Sequence, residues 1–178
     1  MPLDPHDFSK TVLSRIQPGD HVLDLGAGQG SFALMFVEHG AHVTAVDPRL
    51  PADLGEHVTA QPVTAEVFCA APNANRYDCV FARNVIQFLD KAWVQETLFP
   101  WFANHLVPGG TVAISTFYQN PVPPFDRPMR SLYTLDELTA PFVTWTEILS
   151  RHYEHRGPDM SGQLRTFYTT DLIVRSPN

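Results

Sequence analysis

Cysteine is almost missing. Cys69 and Cys79 are the only two. That is too few for a disulfide framework, and their spacing forms no C-x-x-C metal pattern. Such sparseness suits a reducing, cytoplasmic setting. Lysine is scarcer still relative to its usual frequency: Lys10 and Lys91 stand alone among 12 Lys and Arg. Against 19 Asp and Glu the net charge is −7, with no basic run. This argues against a nucleic-acid partner, which needs a basic footprint to release counterions. The longest strictly apolar run, residues 32–37, is six residues, far short of the ~20 that a membrane span takes. Polar Asp4, His6, Asp7 and Lys10 leave no apolar signal region at the start. No internal repeat is visible. What is present is 44% hydrophobic residues in 178. A chain of this length buries roughly 70% of its unfolded surface, so a single domain over residues 1–178 is expected.

The order of elements predicts an α/β fold. Phe8, Val12, Leu13 and Ile16 share one side of a helix over residues 4–16. Strands are expected at 21–25, 41–46, 58–63, 77–82 and 111–117. A helix should fill residues 31–39, with Ser31 as N-cap and Gly40 as C-cap. Another should run over 90–106, kinked or split at Pro100. Pro108-Gly109-Gly110 reads as a turn. Residues 120–130 hold four prolines and should form a stiff loop, followed by a short helix at 134–138. Residues 144–156 and 164–175 read as a hairpin around a polar loop. Strand–helix alternation closed by a hairpin gives a three-layer α/β sandwich: a mostly parallel seven-stranded sheet with an antiparallel C-terminal hairpin.

The most informative residues follow the first strand: Asp24, Gly26, Gly28 and Gly30. A glycine loop at a strand-to-helix junction lies in the crevice where open α/β sheets bind ligands. Its glycines allow close backbone approach, and the next helix aims free N–H groups at the same place. The spacing is G-x-G-x-G with Ser31 next. A pyrophosphate-binding fingerprint, G-x-G-x-x-G, would want a third glycine at 31. Asp24 suits a cationic group better than a pyrophosphate. Asp47 ends the second strand 21 residues after Gly26, where a carboxylate accepts hydrogen bonds from ribose hydroxyls. Together these describe a nucleoside with a positive charge and no phosphates, which is the chemistry of S-adenosylmethionine.

Four motifs carry a resemblance. Val22-Leu-Asp-Leu-Gly-Ala-Gly-Gln-Gly30 resembles the first motif of the class I S-adenosylmethionine-dependent methyltransferases. Val43-Thr-Ala-Val-Asp47 resembles their second-strand motif. The run from Tyr77 to Asp90 resembles the fourth strand with its following turn, and Leu106-Val-Pro-Gly-Gly110 the turn before the fifth. They occur in the family's order. The resemblance implies a Rossmann-like methyltransferase fold, S-adenosyl-L-methionine as cofactor and S-adenosyl-L-homocysteine as product. It implies that Gly26, Ala27, Gly28 and Gly30 line the methionine end, with Asp24 near the ammonium. Asp47 and Pro48 would hold the ribose, Glu66 the adenine amino group, and Val67 the adenine face. Arg83 and Asn84 would face the cofactor's amino acid end.

The acceptor is read from negatives. Asn120-Pro-Val-Pro-Pro-Phe125 carries an extra residue and follows the fifth strand, so it is not the motif of nucleic-acid amino methylation. No Pro-Cys nucleophile is present. The C-terminal part loosely resembles the tellurite-resistance type of small methyltransferase, which implies His155, Arg156 and Arg165 at the substrate. His155 is the candidate base where the acceptor carries a proton. Arg83, Arg127, Arg130, Arg156 and Arg165 should fall near the substrate mouth. His152 and His155, three apart on a strand, face opposite ways, so no metal is expected. The expected activity is methyl transfer to a small molecule, without nucleic acid or membrane. The alternative is a non-catalytic S-adenosylmethionine-binding subunit of a larger assembly. Trp93, Phe99, Trp101 and Phe102 crowd one segment and suggest a homodimer patch.

Overall fold

The computed structural model describes residues 7–51, 53–72, 74–125 and 128–178. The start of the first predicted helix and Arg127 lie outside these. Five strands run parallel: β1 (His21–Leu25), β2 (His42–Val46), β3 (Val58–Gln61), β4 (Tyr77–Arg83) and β5 (Leu106–Val122). β6 (Thr146–Pro158) and β7 (Leu164–Arg175) form the hairpin, and β7 is antiparallel to both β5 and β6. The sheet order is β3-β2-β1-β4-β5-β7-β6. This is the mostly parallel seven-stranded sheet with an antiparallel C-terminal pair that the element order predicts.

Side-chain alternation along the strands makes the three layers. On one face Val22, Phe81, Ala113 and Ile173 meet Phe8 and Val12 of α1 (Asp7–Leu13) and Ala33 and Phe36 of α2 (Ser31–Glu38). Phe81 is the centre of that layer, with the rings of Phe8, Phe32 and Phe36 at 5.7, 5.1 and 5.2 Å. On the other face Leu23, Val80, Ile114 and Leu172 meet Phe68 of α3 (Ala65–Ala70) and Leu98. That layer continues through Trp101 and Phe102 of α5 (Phe99–His105), which follows α4 (Lys91–Trp93), and Leu138 of α6 (Leu135–Thr139). Both central strands are buried on two sides, so their sequences read as apolar runs.

The structure departs from expectation at several places. α2 is preceded by Gly30 at φ 87°, not capped by Ser31, and its C-cap is His39, one residue before Gly40. α3 was not anticipated; it is one and a half turns long, with Thr64 Oγ1 accepting from the Val67 N–H at 3.4 Å. Around Pro100 the chain stays helical. The Phe99 N–H reaches back five residues to the Val94 carbonyl, a wider turn that puts Pro100 in the first turn of α5, where its missing N–H is not needed. The Pro108-Gly109-Gly110 turn is a bulge inside β5: the register jumps from Tyr77–Leu106 to Cys79–Thr111. The aromatics expected to spill onto a dimer patch are absorbed by the core. Phe99, Trp101 and Phe102 are buried and Trp93 packs against them half-buried, so that patch loses its basis.

α6 is held by a capping box. Thr134 Oγ1 accepts from the Glu137 N–H at 3.3 Å, and Glu137 accepts from the Thr134 N–H at 3.0 Å. Lys91 Nζ sits 2.6 Å from the same carboxylate. Thr134→Ala should cost about 1 kcal/mol, read as a fall of roughly 2–4 °C in a thermal melt.

Candidate functional site

The glycine loop leaves β1 and folds over the end of β2. The Gly26 and Ala27 N–H groups both donate to the Val46 carbonyl, at 2.8 and 3.1 Å. The Gly28 N–H then donates to Asp47 Oδ2 at 3.1 Å. This bond joins the loop to the second-strand carboxylate that the sequence reading paired with it. Asp47 is 7% exposed, and its Oδ1 accepts from the Arg49 N–H at 2.8 Å and from Arg49 Nε at 3.2 Å. Gly26 has φ 80° and Gly28 φ 61°, a region that side chains avoid. They are glycines for different reasons. A Cβ on Gly26 would stand 2.5 Å from Val85 Cβ, whereas a Cβ on Gly28 would meet nothing within 4 Å.

Asp24 lies beneath this loop at 2% exposure. The Ala33 N–H near the start of α2 faces its carboxylate and favours the charged form. Its Oδ2 has no partner among the described residues. Burial is the main cause that pushes its pKa from 3.8 up to about 7, with the negative charge of Asp47 adding to it and the Ala33 N–H opposing it. A buried carboxyl with one oxygen unspent is a costly arrangement in an isolated fold. A cationic ligand group beside it removes the cost.

The remaining cofactor candidates ring the same end of the sheet. Pro48 is exposed beside Asp47, and Glu66 is half-buried in the first turn of α3. Val67, next to it, is an apolar side chain left 56% exposed. Asn84 closes β4 at φ 55°, its N–H donating to the Ser115 carbonyl at 2.8 Å.

The side chain of Arg83 goes another way. Strand register aligns Arg83, Ser115, Asp171 and Arg151 across β4, β5, β7 and β6, on the face that α1 and α2 cover lower down. Asp171 is fully buried and ion-paired to Arg151 at 2.8 Å. Ser115 and Tyr153 flank Asp171 and favour its charged form, while its Oδ1 has no hydrogen-bond partner among the described residues. Burial raises the pKa of the Asp171 carboxyl and pushes that of the Tyr153 phenol up to about 12. His155 is on the same face, stacked on Phe167 at 5.1 Å and on Tyr153 at 5.5 Å. Its Nδ1 is buried without a partner among the described residues, and desolvation holds its pKa below 6.5.

Of the three predicted substrate residues, strand alternation places His155 and Arg165 on this face. Arg156, the next residue on β6, is exposed and points away. Arg165 is buried and engaged. It pairs with Asp159 at 2.6 Å, donates to the Pro123 and Pro124 carbonyls at 2.5 and 2.6 Å, and to Gln163 at 2.7 Å. It clamps the proline loop to the hairpin, with four of its five N–H donors engaged within the chain. Asp171, Thr169 and Tyr153 were not anticipated. The available signal was Asp171, the single acidic residue in the threonine-rich and otherwise largely apolar run of β7.

The comparisons with known proteins are as follows. A family described as a methyltransferase domain matches residues 4–169. The ribosomal RNA small subunit methyltransferase A of Corynebacterium glutamicum (strain R) is 46% identical over 56 residues, which is 30% of this chain and 19% of that protein. The match thus spans about a fifth of that relative's length. The structure of TehB from Haemophilus influenzae superimposes with a TM-score of 0.75 at 19% identity, covering 97% of this chain and 62% of that one. It is in keeping with the C-terminal resemblance to a small methyltransferase of the tellurite-resistance type. The 1,6-didemethyltoxoflavin-N1-methyltransferase of Burkholderia thailandensis, with bound 1,6-didemethyltoxoflavin and S-adenosylhomocysteine, gives a TM-score of 0.71 at 20% identity, covering 97% and 77%.

Proposed function

The chain belongs to the methyltransferase-domain family, and from that membership we propose that it transfers a methyl group from S-adenosylmethionine to a small-molecule acceptor. One observation carries the cofactor reading: the Gly28 N–H and Asp47 carboxylate are locked together directly above a buried Asp24 with an unspent oxygen. In this reading Asp24 balances the cofactor's positive end, and Gly26, Ala27, Gly28 and Gly30 carry its methionine. Asp47 and Pro48 take the ribose, while Glu66 and Val67 take the adenine. The Asn84 side chain and the Arg83 backbone border the amino acid end. Bound there, the cofactor supplies an electrophilic methyl carbon on a sulfonium that leaves as a neutral thioether.

Because the leaving group needs no proton, the chain's work is alignment and exclusion of water. Alignment alone can recover roughly 7–11 kcal/mol of the barrier. His155 is held neutral at pH 7 by burial and takes the acceptor's proton where there is one. Arg156 lies on the opposite side of β6, and Arg165 acts at a distance by fixing the proline loop. The small acceptor is supported by the net charge of −7, which disfavours a polyanion, and by the small acceptor in the toxoflavin-type neighbour. Among the described residues no helix is long and apolar enough to cross a membrane. We read the protein as one cytoplasmic domain over residues 1–178.

Calorimetry with S-adenosylmethionine and S-adenosylhomocysteine tests this. Micromolar binding of both is expected, and no heat with either ends the reading. Asp47→Ala removes the acceptor of the ribose hydroxyls. A hydrogen bond to a charged group is worth about 1.5–3 kcal/mol, so affinity should fall roughly 10- to 100-fold. Binding without methyl transfer to any acceptor would favour the alternative of a non-catalytic subunit.

A further inference from the structure

Arg83 is half-buried at this end of the sheet. Its guanidinium lies 4.9 Å over the Phe32 ring, and among the described residues no carboxylate, carbonyl or hydroxyl takes a hydrogen bond from it. The nearest acid on its row, Asp171, is already bound by Arg151 through two contacts, at 2.8 and 2.9 Å. The electrostatic neighbours of Arg83 are Tyr153, Asp171 and His155, all on the hairpin. Neither Asp24 nor Asp47 is among them. Strand register and alternation put this side chain on the face it shares with Asp171, Tyr153 and His155.

Three more unspent polar atoms lie on the same face, one of them Asp171 Oδ1, since both Arg151 contacts are to Oδ2. Thr169 is 3% exposed and its Oγ1 has no partner among the described residues. Thr169 is paired across the strands with Tyr153, and the next position on this face pairs Phe167 with His155. His155 Nδ1 is the third unspent atom. Around them the rings of Tyr153, His155 and Phe167 lie nearly parallel, at 26° and 18° between planes. Phe117 stacks on Phe167 at 24°. A cation without a hydrogen-bonded counter-ion, a hydroxyl, an imidazole nitrogen and a carboxylate oxygen without partners, and a row of stacked rings favour one kind of ligand.

Resting on the methyltransferase reading, we propose that Arg83 is the acceptor-binding residue and that the acceptor is a small planar acid, its carboxylate on Arg83 and its polar edge toward Thr169 and His155. Asp171 and Arg151 are positioning residues: they fill the rest of the row, so that Arg83 is left for the ligand. A guanidinium matches a carboxylate in two parallel bonds, and the flat rings match a flat body.

The test uses benzoate as probe and benzamide as its neutral isostere, each titrated into the full chain saturated with S-adenosylhomocysteine. Benzoate should raise the melting temperature and benzamide should not. Arg83→Met should bind benzoate roughly 10- to 100-fold more weakly and keep S-adenosylhomocysteine affinity within about threefold. Arg83→Lys should recover part of the benzoate response. Equal responses to both probes, no response to either, or a full benzoate response in Arg83→Met each overturn the proposal. So does a loss of S-adenosylhomocysteine binding in Arg83→Met, which would return this side chain to the cofactor. Absence of S-adenosylhomocysteine binding in the unaltered protein is a separate failure, that of the methyltransferase reading itself.

Discussion

Gly26→Ala should remove about 2–5 kcal/mol of stability, while Gly28→Ala, two residues on in the same loop, should remove about 1 kcal/mol. Both backbones lie at positive φ, and an alanine there costs about 1–2 kcal/mol. The difference is what the new methyl meets. At Gly26 it would stand 2.5 Å from Val85 Cβ and 2.7 Å from Val85 Cγ2, and overpacking adds about 1–3 kcal/mol. At Gly28 it meets nothing within 4 Å. Denaturant midpoints at constant slope measure both. Val85→Gly should be destabilising in the parent and nearly neutral in the Gly26→Ala background, because the clash includes Cβ itself and Val85→Ala would not clear it. Binding should rank the other way relative to stability: in Gly28→Ala, loss of S-adenosylhomocysteine affinity should exceed loss of folding free energy. Equal stability losses at the two glycines would remove the distinction between a packing glycine and a ligand glycine.

That distinction was not legible in the sequence, although the loop was. Gly26, Gly28 and Gly30 are three identical letters at even spacing, and their different duties come from Val85, 59 positions beyond Gly26. β1 and β2 were readable because each is a five-residue, largely apolar run, ended by Gly26 and by Asp47. α3 escaped notice because six residues with two buried positions have no helical period to detect. The substrate face was the least legible. Adjacent His155 and Arg156 looked like a pair, but a strand sends neighbours to opposite sides. Arg165 looked free, but four of its donors are taken by Asp159, Gln163 and two carbonyls of the proline loop. The row of Arg83, Ser115, Asp171 and Arg151 depends on the register of four strands, which is a property of the whole sheet.

Asp24 should make the unliganded protein less stable as pH rises from about 4 to about 7. The sign follows from the direction of its shift. Burial raises its folded pKa from 3.8 to about 7. Between those values the unfolded chain has released the proton and the folded chain still holds it, so raising pH favours unfolding. About three pH units at ~1.36 kcal/mol each set an upper bound near 4 kcal/mol. Below pH 4 this contribution to the folded state is intact, and above 7 it is gone. Asp24→Asn, which cannot ionise, should flatten the profile in that window, as urea melts at pH 4.5, 5.5, 6.5 and 7.5 would reveal. A cationic ligand group beside Asp24 reverses the preference, because it favours the carboxylate. S-adenosylhomocysteine affinity should therefore rise with pH from 5 to 7, and binding at pH 6 should release a proton, detected by calorimetry in buffers of different ionisation enthalpy. In Asp24→Asn both the rise and the released proton should vanish. The same pH slope in parent and variant would mean that Asp24 stays protonated next to the ligand, as a hydrogen-bonding acid rather than a counter-charge.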